Sequence, residues 1–169
     1  PRLRPAHFSP EYAPGECAQV DWGCWRTVAV PGGRRRLSFF VMVLCHSRML
    51  YAEFFYGEAM EHWLAAHRHA LEFFGGVPAR IMVDNCRTAV TRPAQGDQPA
   101  VFNSQYLDFA AHYGFRPVAC TPRRPNQKGR VESAVGYLRT SFLAGREPAS
   151  IEALNAALAH WRDTVANVR

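Results

Sequence analysis

Lysine is almost missing from this sequence. Of 20 basic residues 19 are Arg, and Lys128 stands alone. Against 14 acidic residues this leaves a net charge of +6 with neutral histidines. Arg is always charged and forks onto phosphate oxygens. The excess therefore suits a polyanionic partner, and it equally suits a solvated basic surface. Long apolar runs are missing too. The longest, Phe39 to Cys45, is strand-sized, far below the roughly 20 residues of a membrane span. No basic stretch leads into an apolar one in the manner of a signal peptide. The five cysteines, at 17, 24, 45, 86 and 120, form no CxxC. Their odd number argues against a disulfide scaffold and their spacing against a zinc ribbon. Cys45 and Cys120 have apolar neighbours and read as reduced packing residues, which points to a reducing, cytosolic compartment. His62, His67 and His69 fall on one expected helix, with no Glu or Cys to complete a zinc set.

What is present is the balance of a globule. The chain has 169 residues, 48% hydrophobic and 20% charged, which suits one folded domain with a sizeable core. Four prolines in residues 1–15 mark an extended lead-in or linker, leaving 16–169 as the domain. The start at Pro1 and the stop soon after a helical pattern read as a fragment of a larger protein.

Periodicity places the elements. Cys17 to Val30 reads as a strand, with Ala18, Val20 and Trp22 on one face. Pro31-Gly32-Gly33 is a turn, with Arg34 to Arg36 as its exposed basic flank. Leu37 to Leu44 and Leu50 to Tyr56 complete a three-strand antiparallel meander. The period then becomes helical over Ala59 to Phe74 and is stopped by Gly75-Gly76. A short strand at 79–83, an exposed loop over 86–100, a helix from Ser104 (as N-cap) to Tyr113 and a strand from Arg116 to Cys120 follow. Asn126 is the expected N-cap of a helix running to Phe142, and a last helix starts near Ser150. The order β-β-β-α-β-α-β-α-α predicts an α/β fold: a mixed sheet with helices on both faces.

Three carboxylates stand at informative places. Asp21 lies inside the apolar first strand, Asp84 at the exit of the fourth, and Glu132 on the helix bearing Val131 and Val135. A charge inside an apolar strand is costly unless paired or bound to a cation. Phosphodiester cleavage needs one oxygen activated and another stabilised, which two hard cations held by a few carboxylates provide. Taken singly, each residue also has a plain reading: an Asp at a strand end caps a turn, and a helical Glu faces solvent. Lys128, Glu132 and Arg139 share a helical face, and Arg123, Arg124 and Arg130 surround its start. These five basic residues are candidate DNA-phosphate contacts. For Lys128 the plain alternative is an i,i+4 pair with Glu132.

The segments Gln19-Val20-Asp21-Trp22-Gly23, Asp84-Asn85 and Pro122 to Glu132 together resemble the core of DDE integrases and transposases, in particular the IstA-type bacterial insertion-sequence transposases. The resemblance extends to Ala66-His67-Arg68, Phe73 to Pro78, Asp108 to Phe115 and Gly136 to Arg139. It implies an RNase H-like fold and a catalytic, metal-binding triad of Asp21, Asp84 and Glu132 with two Mg²⁺ or Mn²⁺ ions. Asp21 and Asp84 would bridge the ions and Glu132 complete one site. It also implies cleavage at transposon ends and transfer of the 3′-hydroxyl into target DNA, and an oligomer on paired ends. A AAA+ ATPase helper of the IstB type and a cytoplasmic, nucleoid-associated location, with no membrane, complete the expectation. The 47 residues between Asp84 and Glu132 exceed the retroviral spacing, and loop 86–100 would absorb them. The N-terminal helix-turn-helix and C-terminal regions of a whole transposase are not in this sequence. Two alternatives stay open: an RNase H-type nuclease that cuts without joining, and a non-catalytic DNA-binding or assembly module of the same fold.

Overall fold

The computed structural model of the chain describes residues 10–121 and 128–168. Strand β1 (Cys17–Val30) turns back into β2 (Gly33–Leu44), which pairs with β3 (Leu50–Tyr56). Helix α1 (Met60–Phe74) carries the chain across to β4 (Arg80–Val83), parallel to β1. Helix α2 (Ser104–Tyr113) leads to β7 (Arg116–Ala119), parallel to β4. The sheet order is β3-β2-β1-β4-β7. Helices α3 (Gly129–Tyr137) and α4 (Ile151–Trp161) follow, each running on into a π-helical stretch, Leu138–Leu143 and Arg162–Ala166.

The meander and the mixed sheet are as expected, and β2 shows why the sheet is central. Leu37 to Val43 are all buried, as in a strand covered on both faces. Phe40 and Met42 join Ala18, Val20, Ile81 and Val83 under Trp63, Ala66 and Leu71 of α1. Leu37, Phe39, Val41 and Val43 face the other way, onto Val131, Leu138, Phe142, Leu154, Leu158 and Trp161. Gly23 lets the two layers close. A Cβ there would stand 2.1 Å from the buried ring of Phe39.

The outer edge of β3 is sealed by side chains rather than by another strand. The Asn155 amide accepts from Phe54 N at 2.7 Å and donates to Phe54 O at 3.1 Å. Asn167 does the same for Leu50, at 2.9 Å in both directions. Each Asn satisfies one residue's outward N–H and C=O.

Three local expectations are corrected. Residues 86–100 are not simply an exposed loop: Val90–Arg92 (β5) pairs with Val101–Phe102 (β6), and Ala89 and Val90 are buried in the core. Strands of three and two residues are too short to show a period. The N-cap of α2 is Asn103, whose side chain accepts from Gln105 N, so Ser104 is already in the helix. Helix α3 starts at Gly129 with Lys128 at the N-cap position; the expected cap Asn126 lies outside the described residues. Helix α4 starts where expected, next to Ser150, which caps it by accepting from Ala153 N.

Within the α1 layer His67 is fully buried. Its Nδ1–H donates to Trp63 O at 2.8 Å, so its Nε2 accepts from the Tyr106 hydroxyl at 3.1 Å. Burial pushes its pKa down to about 3. Between the ordinary histidine value and about 3 the unfolded chain holds a proton that the folded chain does not. Stability therefore falls as pH falls through that window, by about 1.4 kcal/mol per pH unit for this site. Denaturation midpoints between pH 7 and 4 are expected to fall more steeply in wild type than in His67→Gln; equal slopes would place the acid sensitivity elsewhere.

Trp161 closes the other layer. It packs on Phe142 at 5.6 Å and Tyr137 at 5.4 Å between ring centroids, with its indole N–H on Ser141 Oγ at 3.1 Å. Trp161→Ala is expected to cost about 3–5 kcal/mol in urea unfolding. An unchanged midpoint would mean that α4 does not depend on this contact.

Candidate active site

Strands β1 and β4 run parallel, with Val20 beside Val83. Both valines are in the α1 layer. The next residue on each strand, Asp21 and Asp84, therefore points to the opposite face, where α3 begins. Two acidic residues far apart in sequence become neighbours through one register.

Each carboxylate is oriented locally. Asp21 Oδ1 accepts from Trp22 N at 2.9 Å, and Asp84 Oδ1 accepts from Asn85 N at 2.8 Å. The remaining oxygens converge on one cation. Lys128 Nζ stands 2.7 Å from Asp21 Oδ2 and 2.8 Å from Asp84 Oδ2. Lys128 is 13% exposed, Asp21 20% and Asp84 47%, and this gradient sets the electrostatics. Burial raises the Asp21 pKa, with the Asp84 charge adding to it, against the opposing pull of Lys128. Burial also pushes Asp84 up, but less deeply set, it is held below its ordinary value by Lys128 and the Asn85 amide. Burial disfavours the Lys128 ammonium, and the hydrogen bonds to both carboxylates outweigh it, so its pKa is raised.

Gln19 fixes this arrangement from below. It is buried on β1, one residue pair before Asp21, and its Oε1 accepts from both Arg130 N and Val131 N at 3.1 Å. Those are N-terminal amides of α3 that have no intrahelical partner. Gln19 thus docks the start of α3 on the strand that carries Asp21, and Lys128 is held above the carboxylates.

The site residues expected from sequence are only partly brought together. Asp21, Asp84 and Lys128 meet. Glu132 is exposed on the first turn of α3, its N–H on Lys128 O at 3.3 Å. Among the described residues no three His, Cys, Asp or Glu side chains form a metal-holding group. Lys128 is neither solvated nor paired with Glu132; its bonds go to the aspartates. Arg130 donates to Pro10 O at 2.5 Å and lies over the Tyr12 ring, and Arg139 donates to Cys24 O at 3.0 Å and lies over Phe39. Arg123 and Arg124 fall outside the described residues. Sequence reasoning passed over Gln19 and Asn85; a polar residue two places from Asp21 in an otherwise apolar strand was the available signal.

Residues 11–125 match the family described as the integrase core domain. The chain belongs to the integrase core domain family. This integrase core domain is 36% identical over 170 residues to the transposase for insertion sequence element IS640 of Shigella sonnei, a match covering 100% of the chain and 52% of that protein. It is also 36% identical over 170 residues to the transposase for insertion sequence element IS21 of Pseudomonas aeruginosa, covering 100% of the chain and 42% of that protein. The chain thus spans about half or less of the length of these relatives. In fold it is similar to the HTLV-2 integrase catalytic core domain solved in complex with magnesium in its dimeric form. There the TM-score is 0.59 at 18% identity, over 92% of this chain and 90% of that one. The RNase H-like fold implied by the resemblance is the fold observed.

Lys128→Ala removes the one cation that the described residues place between the two carboxylates. Without metal the variant is expected to melt below wild type, and its melting temperature is expected to rise more on adding Mn²⁺. Equal Mn²⁺-induced shifts in the two proteins would show that Lys128 does not compete for the cation position.

Proposed function

We propose that the chain is the catalytic core of a DNA transposase, which cuts phosphodiesters at transposon ends and joins the freed 3′-hydroxyl to target DNA. One observation carries the reading: Asp21 and Asp84 each offer an oxygen to a single cation position. The Lys128 ammonium there is a stand-in for a metal ion. The donors are carboxylate oxygens only, the chemistry that Mg²⁺ and Mn²⁺ take. Asp21 and Asp84 fit a divalent ion as its first donors; Glu132, exposed on the first turn of α3, is the proposed third, and the proposed complement is two ions. When bound, such ions supply the charge that activates an attacking oxygen and stabilises a departing one.

The chain's own residues orient the site. The amides of Trp22 and Asn85 hold one oxygen of each aspartate, leaving the other for the cation. Gln19 keeps α3 in register with β1. Lys128, once released from the aspartates, is free to take a DNA phosphate at the site entrance, and Arg123 and Arg124 precede it in sequence. Arg130 and Arg139 each spend one guanidinium nitrogen on a backbone carbonyl, of Pro10 and Cys24, and have further N–H groups to offer DNA. The resemblance supplies the remaining partners: transposon-end and target DNA, further copies of the protein on paired ends, and an IstB-type ATPase helper. It also supplies the cytoplasmic, nucleoid-associated location; the four prolines of residues 1–15 supply the division into a lead-in at 1–15 and a core at 16–169.

The test is a Mn²⁺ titration by calorimetry alongside a strand-transfer assay on pre-cut ends. Wild type is expected to bind Mn²⁺ and to join ends. Asp21→Asn is expected to lose both with its far-UV dichroism unchanged, because an Asn oxygen can still accept from Trp22 N and Lys128 keeps its bond to Asp84. Metal-dependent joining by Asp21→Asn at the wild-type rate would remove Asp21 from the site, and cutting without joining by wild type would make the protein a nuclease.

A further inference from the structure

The β1–β2 hairpin is longer than the sheet it belongs to. Strand β4 pairs only with Cys17–Val20 of β1, and β3 only with Leu37–Val43 of β2. Beyond that, from the Thr27–Arg36 pair to the Val30–Gly33 pair, the two strands run on as a ribbon with neither edge paired among the described residues. Pro31 and Gly32 (φ 87°) turn its tip. A bare two-stranded ribbon is marginal in water, and this one is braced at its base. A β-bulge at Cys24/Arg26 bends it, Trp25 packs against Phe54 at 5.9 Å, and Arg36 is held by Cys24 Sγ at 2.9 Å and Glu58 at 3.5 Å.

Its charge is one-sided. Between Asp21 and Glu53 there is no acidic residue, and the ribbon and its base carry Arg26, Arg34, Arg35 and Arg36. Opposed residues of antiparallel strands share a face. Arg34 and Arg36 therefore stand on the α1 side, and Arg26 and Arg35 on the α4 side. Arg34 and Arg35 are exposed and make no hydrogen bond or ion pair with the described residues. The ribbon has no exposed large hydrophobic residue, so it lacks the apolar anchor that a protein partner's pocket would take. Cations on both faces of a two-stranded ribbon match a groove walled by phosphates on both sides, and the major groove of B-DNA admits such a ribbon.

We propose that the β1–β2 ribbon is a second DNA-binding element that grips duplex through Arg34 and Arg35, away from the carboxylates. It rests on the reading that DNA is the substrate. From Asp21 to the ribbon tip at Val30 is nine residues of one strand, about 30 Å at strand rise. That is close to one turn of duplex, about 34 Å. The ribbon would hold DNA roughly one helical turn from the cut, contacting phosphates without regard to sequence.

The test measures affinity of the 169-residue chain for a 30-base-pair duplex of arbitrary sequence by fluorescence anisotropy, across a salt series in EDTA. EDTA separates this test from the proposed cleavage, since loss of metal chemistry leaves binding in EDTA readable. The double variant Arg34→Ala/Arg35→Ala is expected to keep the wild-type melting temperature, since neither side chain has a bond to lose among the described residues. Its plot of log affinity against log salt is expected to be shallower by about 2, at about 0.9 per lost phosphate contact. Arg34→Lys/Arg35→Lys is expected to restore the slope, because charge carries the contact. Parallel lines for wild type and the Ala double variant would overturn the proposal. So would an Ala effect seen on single-stranded DNA and not on duplex, or no duplex binding by wild type at low salt.

Discussion

Two carboxylates side by side on parallel strands cannot both stay charged in a half-buried site without a cation between them. Here the register of β1 against β4 forces Asp21 and Asp84 together, and Lys128 supplies the charge. Much of the surrounding structure serves that requirement. Lys128 can reach the aspartates only if α3 starts directly over β1, and α3 starts there because Gln19 takes its free amides. The same helix then buries Val131, and its π-helical continuation Leu138 and Phe142, against β2. The polar contact and the apolar layer fix one another.

Strand β1 serves three ends by alternation. One set of its side chains, Ala18, Val20 and Trp22, faces the α1 layer. The other set, Gln19, Asp21 and Gly23, faces α3. Of these, Gln19 docks a helix, Asp21 holds a cation and Gly23 leaves room for Phe39. Past the bulge the same strand leaves the sheet and becomes one side of an arginine-bearing ribbon. A shift of one residue in its pairing would exchange the sets and abolish both the layer and the site.

The large elements were legible because their periods are long. The meander, α1 and the stripe of α4 follow directly from spacing, and the carboxylate inside an apolar strand meets a cation, as the cost of burying it requires. What spacing does not carry is which long side chain bends toward which neighbour. Lys128 and Glu132 are one helical turn apart, which makes a pair between them the plain alternative to a DNA contact, yet burial between two aspartates outweighs a solvated pair. Arg130 and Arg139 read as a basic strip, and spacing does not show that each also holds a backbone carbonyl, of Pro10 and Cys24. The β5–β6 pair is too brief for any period, and Asn103 outcompeted its neighbour as a cap through a backbone angle that sequence does not display.

The amides of Asn155 and Asn167, 12 residues apart on the last helical segment, act as a border for the sheet. They occupy the hydrogen-bonding sites on β3 where another chain's strand would dock. Copies of this protein therefore cannot join by extending one sheet into the next along that margin while the final helical segment stays seated. Peeling that segment away would turn a sealed rim into a sticky one, so the carboxyl-terminal helices protect against polymerisation as well as covering a core.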